Sequence, residues 1–376
     1  MPINKIRVLV VDDSAFMRKV ISDILGSDSN IEVVATARNG EESLKKIDEL
    51  QPDVVTMDIE MPVMDGLSTL KEIMKLPRPV PVIMLSSLTQ QGAKETIQAL
   101  EYGAFDFISK PSGAISLDMH KAQEELLEKV RMAARCREKI SCSLQPPLRT
   151  TLQTSLQPRV VPMKENLGKQ TSDIGKRLLP IKSTNRDILV GIGTSTGGPR
   201  ALQFVLTQLP KELAAPIVIV QHMPPAFTKS LAERLNSLCE INVVEAEDGM
   251  ELQKGVAYIA PGGHQMHVSY ENNRYVLHTD KHAEQTSGHK PSVDYLFHSL
   301  SHLSLPKTMA VIMTGMGGDG AKGLAAMKQN GAYTVAEDES TCVVFGMPKV
   351  AIQTGAVDAV VPVDQIAEHI VKFVHE

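Results

Sequence analysis

Short apolar runs and amphipathic segments alternate through the first 110 residues, and this alternation restricts the fold more than any other feature of the chain. Each apolar run has the length of a buried strand, and each amphipathic segment repeats its apolar residues at helical spacing. The predicted strands are 7–11, 32–36, 53–57, 81–85 and 105–109. Successive βα units with short connections predict an α/β domain built on a parallel, doubly wound sheet.

Polar residues that can bind a cation or a phosphoryl group stand where these strands end. Asp12 and Asp13 follow the first strand, Asp58 follows the third, and Ser86 and Lys110 close the fourth and fifth. If the first and third strands are neighbours, three carboxylates converge at the edge where such sheets bind ligands, and they need a hard cation such as Mg²⁺. This predicts phosphoryl transfer onto Asp58. The alternative is that each acid caps a helix or lies in a solvated turn.

Three motifs in this region resemble those of response-regulator receiver domains: V-V-D-D at 10–13, M-D-I-E-M-P-V-M-D-G at 57–66 and S-K-P at 109–111. The resemblance covers residues 1 to about 125 and implies a flavodoxin-like fold that a partner histidine kinase phosphorylates at Asp58. It also implies that Asp13, Asp58 and the Glu60 carbonyl bind Mg²⁺, with Asp12 nearby through water. Ser86 and Phe107 would sense the phosphate, and Lys110 would neutralise its charge.

The character of the chain changes after the first domain. Residues 116–136 have a highly charged helical pattern, whereas residues 138–185 place prolines among Ser, Thr, Gln and Lys without a sustained period. Such a segment is too polar and too interrupted to form a core. We therefore expect three parts, namely a receiver domain at 1–125, an extended helix with a flexible linker at 126–185, and a second domain at 186–376.

The second domain repeats the α/β pattern. Its predicted strands are 187–191, 216–221, 243–246, 257–260, 309–314 and 332–336, with turns and helical stretches between them. Two further runs, 268–270 and 275–278, are separated by a polar turn and predict an antiparallel hairpin. The expected fold is a second doubly wound domain with a mainly parallel sheet.

A glycine-rich stretch, G-I-G-T-S-T-G-G-P at 191–199, lies between an apolar run and a predicted helix at 201–209. This layout predicts a strand, a tight glycine turn and a helix N-terminus, with Ser195 exposed at the end of the strand. Two interpretations compete, a phosphate-binding loop and a serine nucleophile on a strand-to-helix turn. The G-x-S-x-G pattern fits with Ser195 at its centre, whereas the dinucleotide pattern G-x-G-x-x-G fails at Thr196.

A serine nucleophile needs a base and an acid that orients the base. His222 ends the apolar run 217–221, and Asp319 lies in the glycine-rich loop that follows the strand at 309–314. Three strand-end loops would then bring Ser195, His222 and Asp319 to one edge of one sheet. The alternative is a hydrogen-bonded strand-end histidine and an aspartate in a turn or helix cap.

Five other histidines invite a metal interpretation. They carry neither the H-E-x-x-H pattern nor the cysteine ligand pairs of zinc sites, so hairpin and loop positions are favoured for His264, His267, His278, His282 and His289.

Five motifs in order resemble the chemotaxis protein-glutamate methylesterases, the CheB family: G-T-S-T-G-G at 193–198, V-Q-H-M-P at 220–224, A-P-G-G-H at 260–264, K-P-S-V-D at 290–294 and T-G-M-G-G-D-G at 314–320. The resemblance covers both domains and leaves the linker unmatched. It implies that Ser195, His222 and Asp319 are a catalytic triad, and that the backbone N–H groups of Thr196 and Met316 form an oxyanion hole.

The same resemblance implies a substrate and a switch. The expected reaction is hydrolysis of glutamyl methyl esters, with deamidation of glutamines, on the cytoplasmic helices of methyl-accepting chemoreceptors. The esterase reaction needs no cofactor. In the family the unphosphorylated receiver covers the catalytic cleft, and phosphorylation by the chemotaxis histidine kinase relieves it.

Composition sets the remaining expectations. A formal net charge of −5, with no basic patch or helix-turn-helix pattern, argues against a nucleic-acid partner. No signal peptide or membrane-length apolar run is evident, and four cysteines in 376 residues favour a reducing cytoplasm. Two rival functions stay open at this point, a receiver coupled to a non-enzymatic binding output and a nucleotide-binding α/β domain that uses its glycine loops.

Overall fold

The computed structural model describes residues 5–110, 117–137, 188–303, 305 and 307–376. The predicted linker at 138–185 lies outside the described residues. The described chain forms two α/β units, each built on its own parallel sheet, and a two-stranded hairpin.

The first unit is a five-stranded parallel sheet with the strand order β2-β1-β3-β4-β5. Its elements are β1 (Ile6–Val11), α1 (Ala15–Gly26), β2 (Ile31–Ala37), α2 (Gly40–Leu50), β3 (Val54–Asp58), α3 (Gly66–Met74), β4 (Val82–Ser86), α4 (Gln90–Tyr102), β5 (Asp106–Ser109) and α5 (Leu117–Arg135). The predicted doubly wound receiver fold is confirmed, and β1 and β3 are neighbours as the carboxylate argument required.

Local signals explain where the helices of this unit begin. The side chains of Ser14, Asn39, Asp65 and Thr89 each accept a hydrogen bond from the first turn of the helix that follows. These caps satisfy amides that otherwise lack a partner inside the helix. The strands β3 and β4 are buried along their whole length, as expected for central parallel strands covered by helices on both faces.

The second unit is a seven-stranded parallel sheet with the order β14-β13-β12-β6-β7-β9-β8. Its strands are β6 (Ile188–Thr194), β7 (Ile217–Gln221), β8 (Asn242–Glu245), β9 (Val256–Ile259), β12 (Lys307–Ile312), β13 (Tyr333–Glu337) and β14 (Ala359–Val361). Its helices are α6 (Gly198–Leu206), α7 (Phe227–Asn236), α8 (Val293–Ser301), α9 (Ala321–Gln329), α10 (Met347–Gln353) and α11 (Val363–His375).

The predicted hairpin is present and longer than expected. It pairs β10 (Gln265–Glu271) with β11 (Arg274–Asp280) in antiparallel register. Asn272 and Asn273 make the connecting turn with φ values of 49° and 67°. Asparagine tolerates this left-handed region better than most residues, which explains the tight two-residue connection.

The glycine-rich stretch differs from its predicted role. Gly191 and Gly193 belong to β6, which continues to Thr194, and α6 begins at Gly198 rather than at 201. A Cβ on Gly193 would lie 2.3 Å from Val293 Cγ1, and one on Gly191 would lie 2.8 Å from Leu300 Cδ1. These two glycines therefore let α8 pack closely against the sheet, and the sharp turn is made further along, at Gly197, with φ of 80°.

Three C-terminal elements were not predicted. The strand β14 has three residues and lies at the sheet edge, where it pairs with β13. It is flanked by α10 and α11, and the buried residues of α11 include Ile366, Ile370 and Val374. A strand this short has too few residues to show an alternating pattern, so it becomes visible only through its partner strand.

Candidate active site

Ser195, His222 and Asp319 lie at the carboxyl ends of three adjacent strands. Ser195 follows β6, His222 follows β7, and Asp319 lies in the loop after β12. The strand β6 lies between β7 and β12. The chain first adds β7 on one side of β6 and later adds β12 on the other side, so the direction of strand addition reverses at β6. Crevices at such reversal points are the usual ligand sites of open α/β sheets.

His222 and Asp319 form a buried pair. Nε2 of His222 lies 2.8 Å from Oδ2 of Asp319, and the two side chains are 8% and 1% exposed. Nδ1 of His222 is buried and, within the described part of the chain, has no hydrogen-bond partner. Ser195 is partly exposed and lines the same cleft as His222. The nitrogen that remains available for a proton from the cleft is therefore Nδ1.

Asp319 is held by the first turn of α8. Its Oδ1 accepts hydrogen bonds from the Ser292 hydroxyl at 2.8 Å and the Asp294 amide at 3.1 Å, and its Oδ2 accepts from the Val293 amide at 2.7 Å. Burial raises the pKa of Asp319, but the hydrogen bonds from His222, Val293 and Ser292 outweigh it and hold the pKa below its usual range. The carboxylate therefore stays ionised and its four contacts fix its orientation.

The backbone around Ser195 is tied to the loop after β12. The Ser195 amide donates to the Thr314 carbonyl at 3.0 Å, and the Thr314 hydroxyl donates to the Thr196 carbonyl at 3.0 Å. A Cβ on Gly315 would lie 2.8 Å from Ser195 Cβ, so the two loops are in close contact. Because the Ser195 amide is engaged, it is not a candidate oxyanion donor, whereas Thr196 and Met316 both line the cleft.

The same loop has few donors left for a phosphate. The Gly198 amide donates to the Ser195 carbonyl at 2.8 Å, and Pro199 has no N–H group. The Gln221 side chain also donates to the Ser195 carbonyl, at 3.0 Å. A phosphate at a helix N-terminus needs free backbone amides of the first turn. The geometry thus favours the serine-nucleophile interpretation over the phosphate-binding loop.

One of the five histidines considered above belongs to this site. The rings of His289 and His222 stack with centroids 3.9 Å apart and planes 11° apart. Burial, together with the nearby His222, lowers the pKa of His289 to about 4, so His289 is neutral near pH 7. His267 and His278 stack on each other, with centroids 5.0 Å apart, on the separate two-stranded hairpin.

The predicted acidic pocket is assembled in the first unit. Asp12, Asp13 and Asp58 offer carboxylate oxygens that all lie within 4.8 Å of one another. Lys110 Nζ lies 2.6 Å from Asp58 Oδ2 and 3.2 Å from Asp12 Oδ2. Burial raises the pKa of Asp58 to about 6, opposed by Lys110 and supported by the charge of Asp12. A compact set of hard oxygen donors fits Mg²⁺.

The predicted switch residues Ser86 and Phe107 contact elements outside this pocket. The Thr96 hydroxyl of α4 donates to the Ser86 hydroxyl at 2.7 Å. The Phe107 ring stacks on Phe227 of α7, with centroids 4.6 Å apart. Glu60 is exposed, and its backbone makes a hydrogen bond that lowers the pKa of Asp58. Phe107 thus connects β5 of the first unit to α7 of the second unit.

The two units share a cleft of about 720 Å³ that contains the serine site. The Thr196 hydroxyl donates to Asp106 Oδ2 at 2.6 Å, and Lys129 Nζ lies 3.3 Å from Asp106 Oδ1. On an outer edge, Arg234 donates to both oxygens of Glu101 at 2.7 and 3.0 Å. The first unit therefore forms one wall of the cleft and contacts the residue next to Ser195.

Sequence reasoning missed several residues that shape this site. Asp106 and Lys129 were not assigned to the site, and Ser292 was noted only as part of the K-P-S-V-D motif at 290–294. A Ser at the start of an apolar helical run signals a helix cap, and Ser292 does cap α8 by accepting from the Tyr295 amide. No local signal indicates Asp106, because its partner Thr196 is 90 residues away.

A receiver fold with an acidic pocket, followed by an α/β domain that gathers a serine, a histidine and an aspartate in one cleft, defines a class of protein, the receiver-linked hydrolases. Comparisons with known proteins agree with this class. Residues 8–120 match the response regulator receiver domain model, and residues 190–370 match the CheB methylesterase model.

Full-length relatives identify the family. A protein-glutamate methylesterase/protein-glutamine glutaminase from Halalkalibacterium halodurans is 51% identical, with 98% of each chain covered. Its Bacillus subtilis counterpart is 50% identical over 98% of each chain, and that of Pyrococcus abyssi is 44% identical over 99% of this chain and 94% of the relative. The chain belongs to the CheB family of protein-glutamate methylesterase/protein-glutamine glutaminases.

Two solved structures from Thermotoga maritima are similar to the separate halves. The CheB methylesterase catalytic domain is 46% identical, covers 50% of this chain and 98% of that chain, and has a TM-score of 0.48. The response regulator domain of CheB is 56% identical, covers 35% and 97%, and has a TM-score of 0.32. Separately, no helix among the described residues combines the length and apolarity needed to cross a bilayer.

Proposed function

We propose that this chain hydrolyses glutamyl γ-methyl esters on the cytoplasmic helices of chemoreceptors, with Ser195 as nucleophile, His222 as base and Asp319 as the acid that orients it. The observation that carries the proposal is the buried His222–Asp319 pair beside Ser195, at the ends of three adjacent strands. The family's activity, in a chain that covers nearly the full length of its relatives, supplies the ester and amide chemistry.

The reaction balances as an acyl transfer. Ser195 Oγ attacks the ester carbonyl carbon while His222 takes the hydroxyl proton at Nδ1, since Asp319 occupies Nε2. The N–H groups of Thr196 and Met316 stabilise the oxyanion. The C–O bond to the methoxy group breaks, and His222 returns the proton to give methanol. A water, deprotonated by His222, then attacks the acyl carbon, the C–O bond to Ser195 breaks, and His222 passes the proton to Ser195 Oγ, which releases glutamate and restores Ser195. A glutamine side chain follows the same steps and releases ammonia.

We further propose that phosphorylation of Asp58 controls access to this cleft. Asp13, Asp58 and the Glu60 carbonyl would hold Mg²⁺, with Asp12 nearby through water, and the ion would offset the charge of the phosphoryl group. Lys110 would neutralise the phosphate, and Ser86 and Phe107 would report it. The ring stacking of Phe107 on Phe227 and the hydrogen bond from Thr196 to Asp106 support a receiver that covers the site when unphosphorylated.

The remaining predictions belong to the same proposal. The phosphodonor would be the chemotaxis histidine kinase, the chain would work in the cytoplasm, and neither a nucleic acid nor a membrane-embedded segment takes part. We keep the division into a receiver domain (1–125), an extended helix with flexible linker (126–185) and a methylesterase domain (186–376). Within it, α5 extends the receiver's apolar core, since Leu126, Val130 and Ala133 pack there.

Ser195→Ala tests the chemistry directly. In the presence of a small acyl phosphate and Mg²⁺, we expect methanol release from methylated receptor to fall to background, because no other group forms the acyl-enzyme. Ser237→Ala, which removes an exposed hydroxyl after α7, is the matched control and should keep the wild-type rate. Full activity in Ser195→Ala would reject the nucleophile assignment. Binding of inorganic phosphate that survives in this inactive variant would instead favour the phosphate-loop interpretation.

A further inference from the structure

Glu337 is a buried acid that the proposed chemistry does not use. It is the last residue of β13 and is 1% exposed, yet no basic side chain forms an ion pair with it among the described residues. A buried carboxylate is costly unless hydrogen bonds compensate it. The hydrogen bonds of Glu337 therefore indicate which part of the structure this buried acid stabilises.

The contacts of Glu337 lead to the loop that holds Ser195. Its Oε2 accepts from the Thr314 amide at 2.7 Å, and its Oε1 accepts from the Thr341 hydroxyl at 3.0 Å. Thr314 in turn accepts from the Ser195 amide through its carbonyl and donates to the Thr196 carbonyl through its hydroxyl. The Thr314 hydroxyl also accepts from the Val344 amide at 3.0 Å. One residue, Thr314, thus connects Glu337 with both the nucleophile and the proposed oxyanion donor.

We infer that Glu337 is a positioning residue for the esterase reaction, acting through Thr314 to fix the Ser195 backbone and the loop that carries Met316. The inference rests on the proposed role of Ser195. Glu337 touches neither substrate nor reacting atoms. Its effect should fall on kcat rather than on KM, because a misplaced nucleophile or oxyanion donor slows acylation without removing substrate contacts.

The protonation state of Glu337 gives this role a distinctive signature. Burial raises the pKa of Glu337 to about 7, although hydrogen bonds from Thr314, Thr341 and Cys342 lower it, and the like charge of Asp338 adds to the rise. Elsewhere on β13, the Thr334 amide donates to Asp358 Oδ2 at 2.9 Å, and Asp358 forms an ion pair with Lys328 of α9 rather than with Glu337. An ionised carboxylate is a stronger acceptor for the Thr314 amide than a protonated one. The loop should therefore be held most firmly above neutral pH.

Glu337→Gln tests the inference, since an amide keeps the shape of the acid but resembles its protonated form. Methanol release is measured in the full chain with acyl phosphate and Mg²⁺, from pH 6 to pH 8.5. We expect kcat at pH 8.5 to fall about five- to tenfold with KM unchanged. The ratio of variant to wild-type kcat should return toward one at pH 6, because the protonated fraction of wild-type Glu337 grows as the pH falls below about 7.

The matched control is Thr341→Val, which removes the bond to Oε1 and leaves the bond from Thr314 to Oε2 in place. This variant should keep kcat within about twofold of wild type. A Glu337→Gln protein with wild-type kcat at every pH, or one in which KM rises instead, overturns the inference. An equal loss in Thr341→Val overturns it too, because the loss would then reflect general packing. Persistent hydrolysis in Ser195→Ala would mark failure of the proposed function instead.

Discussion

At the scale of single residues, Asp319 makes more of the hydrogen bonds described at the candidate site than Ser195 or His222 does. It accepts from His222, Ser292, Val293 and Asp294, so its oxygens are fully used by the imidazole and one helix terminus. The backbone N–H groups at the N-terminus of α8 favour a negative charge at the position of Asp319. The acid therefore remains ionised and holds the imidazole in the tautomer that leaves Nδ1 able to accept a proton.

Asp319→Asn should lower the methanol-release rate by about 10⁴, because an amide donates where His222 also donates and stabilises the wrong tautomer. The substitution also removes an acceptor from the Val293 or Asp294 amide. The rate is measured with acyl phosphate present, together with a thermal unfolding curve. Asp364→Asn, at an exposed position in the first turn of α11, is the control and should leave the rate unchanged. A loss below tenfold in a folded Asp319→Asn would contradict the assigned role.

At the scale of elements, the contact between β6 and α8 sets the site geometry. Gly191 and Gly193 present bare backbone to α8, and the Val293 side chain occupies the space where a Cβ on Gly193 would lie. Since the first turn of α8 holds Asp319, the spacing between sheet and helix is transmitted to the His222–Asp319 pair. Close packing leaves little freedom to absorb an added methyl group.

Gly193→Ala should destabilise the protein by about 1–3 kcal/mol, because the methyl group would lie 2.3 Å from Val293 Cγ1. We expect a lower unfolding temperature and a reduced methanol-release rate as α8 moves outward. Gly26→Ala is the matched control, since no atom lies within 4 Å of the added methyl group at the end of α1. Unchanged stability and rate in Gly193→Ala would show that the helix spacing is not fixed by this glycine.

At the scale of the whole molecule, the receiver forms one wall of the cleft that contains the candidate site. Phe107 packs on Phe227, Asp106 accepts from Thr196, and Glu101 pairs with Arg234 on the outer edge. Lys129 is buried beside Asp106, and although burial lowers its pKa, the carboxylates of Asp106 and Glu125 hold that pKa above its usual value. The junction therefore combines polar and apolar contacts. In the proposed switch, phosphorylation would weaken these contacts without unfolding either unit.

Much of the fold was predictable from the sequence, because parallel strands buried on both faces are continuous apolar runs and each helix repeats at a fixed period. The position of Ser195, His222 and Asp319 at one sheet edge followed from the strand ends. The role of Gly193 did not, since a glycine needed for helix approach looks the same as a glycine needed for a turn. Its true partner, Val293, is 100 positions along the chain.

The contacts of Glu337 and Asp106 could not be predicted from the sequence either. Glu337 stands in the polar run A-E-D-E-S at 336–340, which is typical of a surface turn, and only its contact with Thr314 across the sheet identifies it as buried. Asp106 lies inside a predicted strand and meets Thr196 only when the two units are in contact. Pairings between distant segments have no local period, so the roles proposed for these residues rest on the structure.

The central claim is that phosphorylation of the first unit opens a serine esterase in the second. The most direct measurement is methanol release from methylated receptor by the full-length chain, with and without a small acyl phosphate plus Mg²⁺, in wild type and in Asp58→Asn. We predict a low basal rate that rises with the phosphodonor in wild type and does not rise in Asp58→Asn. A wild-type rate that is independent of the phosphodonor would contradict the switch, and no release under either condition would contradict the esterase itself.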